Sequence, residues 1–129
     1  MKVVIAHPYA WPEVRRGAER ITIETAAALA RRGHDVRVLT AGDEASKGQD
    51  PGGFEILKLQ RRHRDAGRHE RWFARRVLLH LLRERYDVVH ALMPRDALAA
   101  TRVRRVRGDD PYEDAIDRRS AQSSPRTRG

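Results

Sequence analysis

The chain has 129 residues, 35% of them charged, and a net charge of +9 in which all but three of the 27 basic residues are arginine. That length predicts one domain with a real core and no room for two lobes; the 5% aromatic content makes that core aliphatic, and the absence of cysteine excludes disulfides and thiolate metal sites. A surface this basic favours anionic partners such as nucleic acid, acidic lipid headgroups or phosphate-bearing small molecules.

In chain order, Val3-Val4-Ile5-Ala6 is a continuous apolar run, the pattern of a strand covered on both faces. It begins directly after Met1-Lys2 and is too short for a signal-peptide core. Pro8 and Pro12 make His7 to Arg16 a loop. Gly17 to about Arg32 reads as a helix with Ile21, Thr25, Ala28 and Leu29 on one inward stripe, closed by Gly33. Val36 to Thr40 is a second strand, and Ala41 to Gly53, rich in glycine, is expected to be a flexible surface loop. Phe54 to Leu59 is a third strand. The arginine-dense segment from Gln60 leads into a helix over about His69 to Arg85, with Trp72, Phe73 and Val77 packing on the sheet. Asp87 to Ala91 is a fourth strand, and Asp96 to about Val106 a helix that turns Leu98, Ala99, Arg102 and Val103 inward. Beyond Gly108 the composition cannot offset ordering entropy by burial, so the tail is expected to be disordered. No apolar run approaches the roughly 18 residues a membrane helix needs, and the expected location is cytoplasmic.

Three features carry chemistry. The loop and helix start, Arg15-Arg16-Gly17-Ala18-Glu19-Arg20, places unpaired backbone N–H groups where a phosphate would bind, with glycine permitting close approach and an arginine able to clamp it. The competing structural reading is that Gly17 relieves a turn and the arginines are solvated. His7 and His90 each end a strand at the sheet edge where open α/β folds gather ligands, against the plainer reading of histidines bonded to nearby backbone. The segment Gln60 to Arg85 could contact nucleic-acid phosphates or an anionic membrane face, or be a solvated surface helix with one buried aromatic stripe. No metal-ligand spacing and no nucleophile-elbow context is present, so no metal and no catalytic triad is expected.

The ordered set Val3-Val4-Ile5, Pro12, Arg16-Gly17-Ala18-Glu19-Arg20, Leu29 to Val36, Val38-Leu39-Thr40 and Tyr86-Asp87-Val88-Val89-His90-Ala91 resembles the N-terminal domain of GT-B-fold, family-4-like retaining glycosyltransferases, over about Met1 to Val106. The resemblance implies a partial Rossmann-like, three-layer α/β domain (1–106) with a mostly parallel sheet of about four strands, followed by a disordered polar tail (107–129). It implies that this domain holds the acceptor while its glycine-rich loop faces the donor diphosphate. Arg16, Gly17, Glu19 and Arg20 then form the donor-facing loop, and His7 and His90 the acceptor-side candidates. No cofactor is implied. The family's loop has two adjacent glycines, the first replaced here by Arg16, and often a second histidine where this chain has Leu92.

The family's second domain, which binds the nucleotide sugar, does not fit within this length, and Gly108 leads into a polar tail where another strand would follow. The expectation is therefore an acceptor-side fragment, a truncated or frame-shifted product inactive by itself, that meets nucleotide sugar and acceptor only when a donor lobe is supplied. Peripheral contact with an anionic membrane fits its charge, whereas nucleic acid is not the favoured partner. The alternative function is a small basic binding module for nucleic acid or an anionic membrane surface.

Overall fold

The computed structural model describes residues 1–107, in the order β1 (Lys2–Ala6), α1 (Gly17–Arg31), β2 (Asp35–Gly42), β3 (Ser46–Gln49), β4 (Glu55–Gln60), α2 (Ala66–Arg83), β5 (Val88–Ala91) and α3 (Pro94–Arg107). The expected tail lies outside these residues, apart from Arg107 at the end of α3.

The sheet order is β3-β4-β2-β1-β5. β1 pairs in parallel with β2 on one edge and β5 on the other, β4 pairs in parallel with β2, and β3 alone runs antiparallel, against β4. Alternation along each strand then divides the core between two layers. Val3, Ile5, Val36 and Val38 face α1, with Phe54 and Ala26 in the same cluster. Val4, Ala6, Leu39 and Ala41 face α2 and α3, packing with Phe73, Val77, Leu81, Ala99 and Val103. The chain's only two phenylalanines, both fully buried, thus anchor opposite layers.

Helix ends follow local chemistry. After α1, Gly33 takes φ 88°, and Gly33 N–H and His34 N–H donate to the carbonyls of Ala30 and Leu29, the left-handed termination that glycine adopts without steric cost. Asp65 caps α2 by accepting from Arg68 N–H at 2.9 Å, which starts that helix three residues before the expected His69. Pro94 occupies the first position of α3, where its missing N–H costs nothing.

Three expectations are corrected. The sheet has five strands, because Ser46–Gln49, expected within a flexible loop, pairs with β4. All four of its residues are exposed, so the strand is held by backbone pairing and leaves no apolar pattern to read. On α1 the fully buried residues are Glu19, Thr22 and Ala26, with Ile23, Ala27, Ala30 and the expected Leu29 packed against the core, while Ile21 is 52% exposed; a carboxylate, not Ile21, enters the core. On α3, Leu98 and Arg102, both expected to face inward, are exposed, and Asp96 is buried. Trp72, Phe73 and Val77 do pack on the sheet as expected.

At the amino edge of the sheet, Arg37 pairs with Glu55 at 3.0 Å and with Glu84, and donates to the Tyr86 hydroxyl at 3.1 Å. Tyr86 donates to Glu84 at 2.8 Å, so this network ties the end of α2 to β2 and β4. Burial, with the carboxylate of Glu84, pushes the Tyr86 hydroxyl well above its ordinary range.

Because each phenylalanine fills one layer, Phe54→Ala and Phe73→Ala should each cost about 3–5 kcal/mol, against about 1 kcal/mol for loss of the Asp65 cap in Asp65→Ala. Urea-unfolding midpoints check that order; equal losses at all three positions would contradict the layer assignment.

Candidate functional site

The β1–α1–β2 connection runs to one side of β1 and the chain returns through α2 to place β5 on the other side. The carboxyl end of β1 is therefore the topological switch point, where the loops separate and leave a crevice. His7 occupies that position. Its N–H continues the sheet to Leu39 O at 3.1 Å, and its side chain is buried.

Three side chains meet there. Glu19, on the first turn of α1 and also buried, accepts from His7 Nε2 at 3.2 Å and from Arg16 Nη2 at 2.9 Å on the same oxygen. A carboxylate only accepts, so the proton of neutral His7 sits on Nε2 and its Nδ1 is left as a bare lone pair. Nδ1 has no partner among the described residues. Burial lowers the His7 pKa despite the neighbouring carboxylate. Burial acts to raise the Glu19 pKa, but hydrogen bonds from its own backbone N–H, from His7 and from Arg16 outweigh it and the net shift is downward. The pair is thus a neutral imidazole oriented by a carboxylate.

Arg16 lies with its guanidinium 4.7 Å from the centroid of the Tyr9 ring, while its side chain remains 64% exposed. It is the residue before the helix and its side chain caps no backbone group, so of the first-turn N–H groups of α1 only that of Glu19 meets a side chain, its own carboxylate. Arg20, by contrast, pairs with Glu24 at 2.8 Å on the solvent side and does not join the cluster. Gly17 is exposed, and a Cβ there would meet nothing within 4 Å. His90 is in register with Ile5, on the same sheet face as His7 and two residues short of it along the neighbouring strand. It is exposed.

Residues not singled out by sequence complete the crevice. Tyr9 donates to Glu70 at 3.1 Å. His69 Nε2 donates to Pro8 O at 2.6 Å, which again leaves a buried Nδ1 without a partner, and its pKa is lowered by burial. Asp96, on the first turn of α3, is buried with Oδ2 unpartnered. Burial, aided by the charge of Glu70, pushes its pKa up to about 7. The only local signal for Asp96 was an acidic residue just after Pro94 at a helix start, a pattern common on surfaces.

Beside Glu19 a groove of about 260 Å³ opens between α1, β2, β4 and β3. Tyr9, Trp11, Ile23, Val38 and Ile56 give it apolar walls. Glu19 Oε2 and Thr40 Oγ1, both of lining residues, are buried without a hydrogen-bond partner among the described residues. Glu13 braces the loop above by accepting from Lys58 Nζ at 2.9 Å and Asp43 N–H at 3.1 Å. The groove offers acceptor and hydroxyl chemistry in an apolar cleft, the arrangement suited to a hydroxyl-bearing ligand. Among the described residues no group of three or more metal-ligating side chains converges.

The unusual protonation states set the pH dependence. His7 and His69 resist protonation when folded, so stability falls as pH drops below the ordinary histidine value toward their folded ones. Asp96 acts oppositely: its folded pKa is raised from 3.8 to about 7, so its contribution is present below the lower value and is lost as pH rises through the upper. Asp96→Asn should therefore raise stability near pH 8 relative to pH 5, on the order of 1–3 kcal/mol. Urea unfolding at the two pH values measures it, and an unchanged difference would place the Asp96 carboxyl in water.

No curated protein is similar to the chain at a significant level. A family model does match, over residues 15–112, a span that takes in the Arg16–Glu19 helix start and Asp96. This chain, with an α/β sheet whose switch point carries that cluster, belongs to Glycosyltransferase Family 4.

Proposed function

We propose that the described domain is the acceptor-side unit of a GT-B glycosyltransferase, which transfers a sugar from a nucleotide-diphosphate donor to an acceptor hydroxyl. The observation that carries this reading is the His7–Glu19–Arg16 cluster at the switch point, opening on a groove with buried, unpartnered oxygens. In the reaction, the acceptor oxygen forms a bond to the anomeric carbon as the bond to the diphosphate breaks, and the hydroxyl proton leaves to a base. The acceptor lies in the groove beside Glu19, with His7 and His90 along the crevice at the carboxyl ends of β1 and β5.

The start of α1 faces the diphosphate. The N–H groups of Gly17 and Ala18, which Arg16 leaves uncapped, and the Arg16 guanidinium stabilise the negative charge that develops on the leaving group. Arg16 can do so while holding Glu19, because a guanidinium has five N–H donors and this one spends one on the carboxylate. Glu19 is a positioning residue that fixes the His7 tautomer and anchors Arg16. The described residues form a single sheet, so the nucleotide sugar needs a second lobe, and this domain has no turnover without one.

Release of nucleoside diphosphate from nucleotide sugars, assayed for the full chain alone and mixed with a separately produced donor-binding lobe, tests the proposal. The expected result is turnover only in the mixture, reduced tenfold or more by Glu19→Gln, which keeps an acceptor for His7 but removes the charge. A mixture without turnover, or one indifferent to Glu19→Gln and Arg16→Ala, would overturn it.

A further inference from the structure

A second groove, of about 200 Å³, runs between α2 and α3. Arg71 and Arg75 line it from α2 and Arg95 and Arg102 from α3, above Leu78 and Leu98. None of these four guanidinium groups has a carboxylate partner among the described residues; Arg71 only returns to Gly67 O within its own helix. Four cations around one cleft with no carboxylate partner among the described residues repel each other until an anion arrives.

The outward face of α2 carries a second signal. Phe73, Val77 and Leu81 point into the core, so helical spacing turns Arg68, Arg71 and Arg75 outward, followed one to two turns later by Leu79 and Leu82. These leucines are 45% and 42% exposed, and Leu98, which lines the groove from α3, is 53% exposed. Arginines and bare leucines on the solvent face of a helix about 27 Å long form the pattern of a helix that lies in a membrane interface, with cations on phosphate and aliphatic side chains at the acyl boundary. Nucleic acid fits less well. Its single strands are held by exposed aromatic platforms, whereas Trp72, the aromatic residue nearest this face, packs on His69 and the core. The arginines first singled out by sequence are partly committed elsewhere, since Arg61 donates to the carbonyls of His63 and Arg64.

We infer that the α2–α3 face docks on an anionic phospholipid surface, with Arg71, Arg75, Arg95 and Arg102 binding headgroup phosphates and Leu79, Leu82 and Leu98 entering the interface. This assignment is independent of the sugar-transfer reading.

Co-sedimentation of the full chain with vesicles of phosphatidylcholine alone, or with one third phosphatidylglycerol, tests it. The chain should bind the anionic vesicles at least tenfold better, and high salt should weaken that binding. Arg75→Glu with Arg102→Glu, at two exposed positions, should lower it tenfold or more; Arg71→Gln with Arg95→Gln is the milder second pair, with circular dichroism confirming the fold. Leu79→Ser, Leu82→Ser and Leu98→Ser together should weaken vesicle binding severalfold while leaving any binding to a short DNA duplex unchanged. Binding unaffected by either arginine pair would place the contact elsewhere on this basic chain and overturn the proposal. Indifference to the leucine changes would reduce it to charge adsorption and overturn the lipid assignment. Groove-dependent binding to duplex stronger than to vesicles would replace lipid by nucleic acid.

Discussion

The position of β1 constrains everything else in this domain. It is paired on both edges and its residues are buried on both faces, so it cannot be satisfied by one helix layer. The chain must lay α1 over one face and bring α2 and α3 over the other. Because parallel crossovers keep one hand, the two connections then diverge at the carboxyl end of β1, which makes the crevice at His7 a consequence of how the central strand is covered. The position of the candidate site follows from that requirement.

Burial of Glu19 is the second determinant. An ionised carboxylate removed from water must find charge and hydrogen bonds, or it is strongly destabilising. Here it finds His7 and Arg16, and meeting them fixes the rotation of α1 about its axis. Ile23, Ala26, Ala27 and Leu29 still pack on the sheet, and Ile21 is left at the surface. At that end of the helix a local polar contact has overridden the hydrophobic pattern, as happens where a site takes precedence over packing.

The two ends of the sheet differ in how fully their polar atoms are used. At the amino edge, Arg37, Glu84, Tyr86 and Glu55 form a connected network that joins elements. Among the described residues, one buried atom of that network, Glu55 Oε1, has an ion pair but no hydrogen bond, whereas at the carboxyl edge five buried atoms, His7 Nδ1, His69 Nδ1, Asp96 Oδ2, Glu19 Oε2 and Thr40 Oγ1, have no hydrogen-bond partner. Buried polar atoms are normally satisfied. Several unpartnered ones converging where an open sheet binds ligands mark that edge as the working one, while the amino edge serves stability.

The amino-acid sequence alone determined the layered α/β plan, the order of strands and helices, the parallel core and the family, because these rest on local signals: continuous apolar runs, helical spacing, Gly33 after α1 and Pro94 before α3. It also named the His7 and Arg16–Glu19 positions, since strand ends and helix starts are local features. Only the tertiary structure decided which of those residues meet. Arg20 and Glu19 are neighbours in sequence, yet one pairs with Glu24 in solvent and the other enters the core beneath His7. His69 and Glu70 join the crevice through contacts across 61 residues, and Asp96 feels the charge of Glu70 from a different helix, none of which a spacing rule encodes. β3 was invisible because its pairing is a backbone property and its side chains are all exposed. Likewise the arginines of α2 were legible as charge, but their convergence with those of α3 over bare leucines exists only once the two helices pack side by side.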